Sequence, residues 1–118
     1  MKILLTFFVL FFSSSVVADS IKGTAWLFFE GDHDKKIILF EDDQTFTYLN
    51  IFQKSGNQGK VFSDPADTWT IEGDVVTLSY TNGYRLVSLT INIEKNSMSG
   101  ISINKKGLVE EITATKIE

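Results

Sequence analysis

Three residues of this chain, Asp67, Tyr80 and Arg85, can act on one molecule if the strands that carry them pair as their turns dictate. Asn82-Gly83 lies between two alternating apolar runs, and a two-residue Asn-Gly loop specifies a tight hairpin because both central residues take φ > 0. It sets Tyr80 opposite Arg85, Leu78 opposite Val87 and Val76 opposite Leu89. A second two-residue loop at Gly73-Asp74 sets Ile71 opposite Val76, Trp69 opposite Leu78 and Asp67 opposite Tyr80. Successive side chains of a strand point to opposite faces, so the two hairpins can be checked against each other. They agree: Ile71, Val76 and Leu89 share one row, Trp69, Leu78 and Val87 the next, and Asp67, Tyr80 and Arg85 a third. Thr68, Thr70, Thr77, Ser79 and Ser88 take the other face. A one-residue slip would put the whole apolar set in water.

The third row replaces apolar layers with a carboxylate, a phenol and the sole arginine of the chain. Such a row can orient the polar head of a small molecule at the mouth of a pocket. It can equally be an ion pair that closes the end of the core, with the arginine stem snorkelling to solvent. Both readings fit the residues.

Support for catalysis is thin. The chain has no cysteine and one histidine. That histidine, His33, lies in the polar turn Glu30-Gly31-Asp32-His33-Asp34 without the context of a nucleophile–base pair, and no Gly-x-Ser-x-Gly elbow is present. A single His without Cys is a poor transition-metal set. Glu41-Asp42-Asp43 and Glu72-Gly73-Asp74 are turn carboxylates without the loop spacing of a calcium site. The expectation is a non-enzyme with no cofactor and no metal.

The elements that position these residues are all strands. Gly23 to Phe29 reads as the first, with Trp26 and Phe28 on one face; Lys36 to Glu41 and Thr45 to Phe52 follow. A three-residue loop at Asp42-Asp43-Gln44 faces Phe40 with Phe46 and Ile38 with Tyr48, giving an aromatic inner face. Gln53 to Ala66, with Gly56, Gly59 and the only proline, Pro65, reads as the longest connection. Along Ser97 to Asn104 the pattern conflicts, because Met98 and Gly100 alternate one way and Ile101 and Ile103 the other. Either a β-bulge at Gly100 reconciles them, or the two isoleucines face outward and meet a partner. Leu108 to Ile117 makes an eighth strand. Alternate turns of a meander fall at opposite ends, so Asp32-His33-Asp34, the Gln53 to Ala66 connection, Asn82-Gly83 and Lys105-Lys106-Gly107 gather at one end. That end is expected to be the open mouth, with Tyr84 on its rim.

Met1-Lys2, the apolar run ILLTFFVLFF and the exit SSSVVA read as a signal peptide, residues 1–18, with Val16 and Ala18 before the cleaved bond. The apolar run is too short to span a bilayer, which takes about 20 residues. The remaining residues, 19–118, suit one domain. Without Lys2 it carries 10 basic and 15 acidic side chains, a net charge of −5, which argues against nucleic acid or an anionic membrane surface as partner. A periplasmic or secreted protein is expected, without membrane insertion of the mature chain.

Eight short strands without a helical stretch imply an all-β, antiparallel up-and-down barrel, since closure removes exposed edges; a two-sheet sandwich is the alternative. Gly23-x-x-Trp26 just after the leader, the eight-strand meander and the aromatic inner face resemble the lipocalin-like (calycin) group of small exported barrels. That resemblance implies binding of a small hydrophobic or amphipathic ligand. Trp26, Phe46, Tyr48, Trp69 and Leu78 would then line the interior, and Asp67, Tyr80 and Arg85 would orient a polar head. The competing expectation is a barrel filled by its own side chains, acting as an envelope interaction partner or inhibitor through its loops or an outer patch with Ile101 and Ile103.

Overall fold

The computed structural model describes residues 21–31, 34–52 and 59–117. The expected signal peptide, Asp32-His33 and residues 53–58 lie outside the described residues. Eight strands run in chain order: β1 (Ala25–Glu30), β2 (Asp34–Phe40), β3 (Thr45–Phe52), β4 (Val61–Glu72), β5 (Val75–Ser79), β6 (Arg85–Asn92), β7 (Ser97–Asn104) and β8 (Val109–Lys116). Each pairs antiparallel with its neighbour, and β1 pairs with β8 from Trp26↔Lys116 to Glu30↔Ile112, so the sheet closes into a barrel and the sandwich alternative is excluded.

The turns impose this register. Asn82 (φ 59°) and Gly83 (φ 65°) both adopt left-handed backbone, as the two-residue loop requires, and Leu78 pairs with Val87 and Val76 with Leu89. The Gly73-Asp74 loop gives Trp69↔Leu78 and Ile71↔Val76. At Asp42-Asp43-Gln44 the third loop residue, Gln44, takes φ 68°, and Phe40 faces Phe46 and Ile38 faces Tyr48.

The closed half of the barrel is solid. Trp26, Phe28, Phe40, Phe46, Trp69, Leu78 and Leu89 all lie inside. Phe40 meets the edge of Trp69 with ring centroids 5.5 Å apart at 89°, a geometry that sets a positive ring edge against a negative face. Gly23 and Thr24 cap this end: Gly23 N–H donates to Phe40 O at 2.7 Å and Trp26 Nε1 to Thr24 Oγ1 at 2.8 Å, while buried Ile21 packs beneath.

Three points that the sequence left open or misplaced are decided. First, of the two readings of β7 the outward isoleucines hold and the bulge does not: the strand pairs with β6 without interruption, from Arg85↔Asn104 through Leu89↔Gly100 to Asn92↔Ser97. Met98 and Ser102 are buried and flank Gly100 on the inner face, whereas Ile101 and Ile103 are exposed. Glycine is needed at 100 because a Cβ there would strike the carbonyl oxygen of Ser88 and lie 2.8 Å from Leu89 Cα. Gly100→Ala is therefore expected to cost about 1–3 kcal/mol through forced backbone displacement, read as a lower midpoint in urea; an unchanged midpoint would contradict this close approach.

Second, the connection after β3 is shorter than the sequence suggests, because Val61 to Ala66 belongs to β4. Between Thr45↔Thr68 and Thr47↔Ser63 the partner strand uses five steps against two. Pro65 sits in the resulting bulge, where its missing N–H breaks no ladder bond, and Asp64 Oδ1 accepts the Ala66 N–H at 2.8 Å. Third, Glu30 is not part of a polar turn. It ends β1 and is buried, only 1% exposed.

Candidate ligand site at the barrel mouth

The barrel interior changes character at the end carrying the Asn82-Gly83 turn. β1 delivers Glu30 on the face of Trp26 and Phe28, and β2 delivers Lys36 on the face of Ile38 and Phe40. Both follow from the two-residue side-chain period. Asn50 of β3, paired opposite Lys36, and Asp67 of β4 complete a polar layer buried above the apolar core.

Glu30 is its electrostatic centre. Its Oε1 lies 2.8 Å from Lys36 Nζ, and its Oε2 pairs with Arg85 Nη1. Arg85 is thus held by Glu30. Asp67 instead turns its Oδ1 to the backbone N–H of Thr81 at 2.8 Å, fastening β4 to the Asn82-Gly83 turn. The expected row of Asp67, Tyr80 and Arg85 does assemble around one cavity, but the carboxylate that pairs with Arg85 comes from β1. Counting side-chain parity past Phe28 would have placed Glu30 inward, and the same count back from Ile38 places Lys36; the polar run that follows Glu30 masked the first signal.

Aromatic rings surround this ion cluster. Tyr48 stacks on Phe62 with centroids 4.9 Å apart at 18° and meets Tyr80 edge-on at 5.4 Å. Lys36 Nζ lies 5.0 Å from the Tyr48 ring centroid, and the Arg85 guanidinium carbon is 6.0 Å from that of Tyr80 and 5.6 Å from that of Tyr84, within range of cation–π attraction. Burial pushes the Tyr48 phenol up to about 12 and the Tyr80 phenol well above its ordinary value, so both stay protonated donors at neutral pH. Burial also lowers the Lys36 ammonium, with Glu30 opposing the shift, and raises the Asp67 carboxyl against the Thr81 N–H that favours its anion.

These groups, apart from Glu30 behind Lys36 and Arg85, border a cavity of about 360 Å³ that opens at the mouth, with Tyr84 and Lys105 at the rim. Of the eight residues expected on a ligand, Tyr48, Asp67, Tyr80 and Arg85 line it. Trp26, Phe46, Trp69 and Leu78 lie in the packed core beneath, where Phe46 supports the floor through its edge-on contact with Tyr80 at 5.0 Å. Lys36, Asn50 and Phe62 line the cavity and were not singled out from sequence. Among the described residues no cluster of His, Cys, Asp and Glu has the makings of a metal site, and no helix is long and apolar enough to cross a membrane.

A closed eight-stranded meander, packed at one end and hollow at the other, is the architecture of a barrel-type binding domain. Residues 14–100 match the lipocalin-like domain family, and the chain belongs to it. No curated protein matches the chain. Among solved structures, a chain described as a "putative beta-lactamase from Burkholderia vietnamiensis" superposes with a TM-score of 0.59 at 8% identity, covering 82% of this chain and 93% of that one. At that identity the likeness is one of fold.

Proposed function

We propose that this protein is an exported, non-enzymatic lipocalin-like carrier that takes a small amphipathic ligand into the mouth of its barrel. The reading rests chiefly on one observation: the cavity of about 360 Å³ combines aromatic walls with a buried Glu30–Lys36–Arg85 cluster. Its volume falls within the range of small-molecule sites, and its lining joins aromatic rings to charged and polar side chains, which suits an amphipathic ligand. The solid lower half limits the ligand to the upper half of the barrel, so a long chain would have to project past Tyr84 into solvent. Export rests on the leader at residues 1–18, and places the protein in the periplasm or outside the cell.

Native mass spectrometry of the mature protein, recovered from its own exported fraction, tests both parts. The expected spectrum shows a chain beginning at Asp19 and carrying a co-purifying molecule of small mass. A bare protein that also takes up no nonionic hydrophobic dye would overturn the carrier reading.

A second reading, a protein-binding module, is favoured by one feature of the outer face. Leu86, Ile103 and Val109 pair across β6, β7 and β8 to form an exposed apolar row, the kind of patch through which domains associate. A bare protein would turn attention to this row.

A further inference from the structure

Resting on the carrier reading, we infer that the ligand is an aromatic monocarboxylate whose anionic head is held between Arg85 Nε and the Tyr80 hydroxyl. The first observation is an imbalance of donors. Tyr80 is 5% exposed and the Arg85 side chain 10%, yet the Tyr80 hydroxyl and Arg85 Nε have no hydrogen-bond partner among the described residues. Buried polar groups are nearly always paired, and an exception calls for a function or a missing partner. Both unpaired atoms belong to residues that line the same cavity. Arg85 Nη1 is already committed to Glu30, which fixes the guanidinium plane, while its Nε is buried and still without a partner.

The second observation is charge. Glu30 is shared by two cations, Lys36 and Arg85, so the cluster carries one surplus positive charge in a buried setting. Asp67 adds a second carboxylate, on the cavity wall, but Lys105 at the rim adds a third cation, so one surplus positive charge remains. One added negative charge neutralises the cluster, whereas a second would stand uncompensated near Glu30 and Asp67. A carboxylate suits the two donors because it presents two oxygens, one to a guanidinium edge and one to a phenol. The Tyr80 hydroxyl is held neutral by its surroundings and so can donate.

The third observation concerns the body of the ligand. Tyr48, Phe62, Tyr80 and Tyr84 supply the apolar lining, and aromatic surfaces of this kind favour a flat ring through offset or edge contacts. Beneath them Phe46 packs against Tyr80 and blocks deeper entry.

The test is a calorimetric titration with one- to three-ring aromatic carboxylates, using their methyl esters, the corresponding amines and matched dicarboxylates as controls. Binding of at least one acid, with its ester weaker by about 10- to 100-fold, the factor carried by one charge-assisted hydrogen bond, and with the amine and the dicarboxylate weaker than the acid, is the expected result. Tyr80→Phe should reduce that preference by about tenfold while leaving the ester unaffected. Its melting temperature should not fall, because the hydroxyl it removes has no partner in the fold. Arg85→Gln should abolish the preference for acid over ester.

Equal binding of acid and ester would overturn the inference while leaving the carrier reading intact. So would an unaltered preference in Tyr80→Phe. If no acid binds at about millimolar concentration while a nonionic dye does, the anionic head is wrong and the pocket is right. If neither binds, the carrier reading falls with it.

Discussion

Glu30→Gln is expected to destabilise the protein by about 3–5 kcal/mol at neutral pH, the effect of removing one partner from a buried charge cluster. The substitution keeps the shape of the side chain but leaves Lys36 and Arg85 buried side by side without a counter-charge. The pH dependence carries the diagnostic sign. Burial lowers Lys36 from its ordinary value of 10.5, and Glu30 is the main group holding it up. In the variant that support is gone, so the folded state sheds the Lys36 proton at lower pH still. Between the folded and unfolded values the unfolded chain binds more protons, so stability rises with pH through that window. The deficit should therefore shrink as the pH is raised toward 10 or so, though only in part because Arg85 keeps its charge. Urea denaturation at several pH values measures this. A deficit that grew with pH would show that Lys36 is not the group left stranded.

Trp69→Ala is expected to cost a similar amount, about 3–5 kcal/mol, for a different reason. Trp69 is 1% exposed, packs edge-on against Phe40, and donates its Nε1–H to the Glu41 carbonyl at 3.0 Å. Truncation opens a large cavity in the solid half and strands that carbonyl. Unlike Glu30→Gln, the loss should be insensitive to pH, because no ionisable group answers it. Trp69→Phe, which keeps most of the ring and loses the hydrogen bond, should recover most of the deficit. A Trp69→Ala protein of native stability would mean that β4 and β5 are paired in another register.

The centre of the fold was legible because two separate turns, Gly73-Asp74 and Asn82-Gly83, independently demand the same alternation from Trp69 to Leu89. Agreement between local signals is what makes a sequence specify one structure. Legibility failed where a local signal pointed elsewhere. Asp64-Pro65-Ala66 has the composition of a loop, and only the bulge that absorbs its extra residues lets it continue β4. Glu30 stands next to Gly31 and was read with the turn, although the period of Trp26 and Phe28 already pointed it inward. The conflict at Gly100 could not be decided along the strand, because the reason for a glycine there lies across it, in the backbone of Ser88 and Leu89. The positions of the polar row are legible along its own strands, but the arginine's carboxylate partner is not, since Glu30 crosses the barrel interior from a strand distant in sequence.

The seam between β1 and β8 has a consequence for how the chain reaches this state. Trp26 pairs with Lys116 and Glu30 with Ile112, so one side of the first strand stays open until the eighth arrives. Hairpins between neighbouring strands can form early and locally, but the last ladder demands the closure of a loop almost as long as the domain. Contacts of that range make for slow folding. Until the seam zips, β1 and β8 each present a bare edge, and the half-built sheet has an inner face of tryptophan and phenylalanine open to water. The rate-limiting event should therefore be seam formation, and a newly made chain would remain an open ribbon, threadable and in need of protection from its neighbours, for longer than its small size suggests.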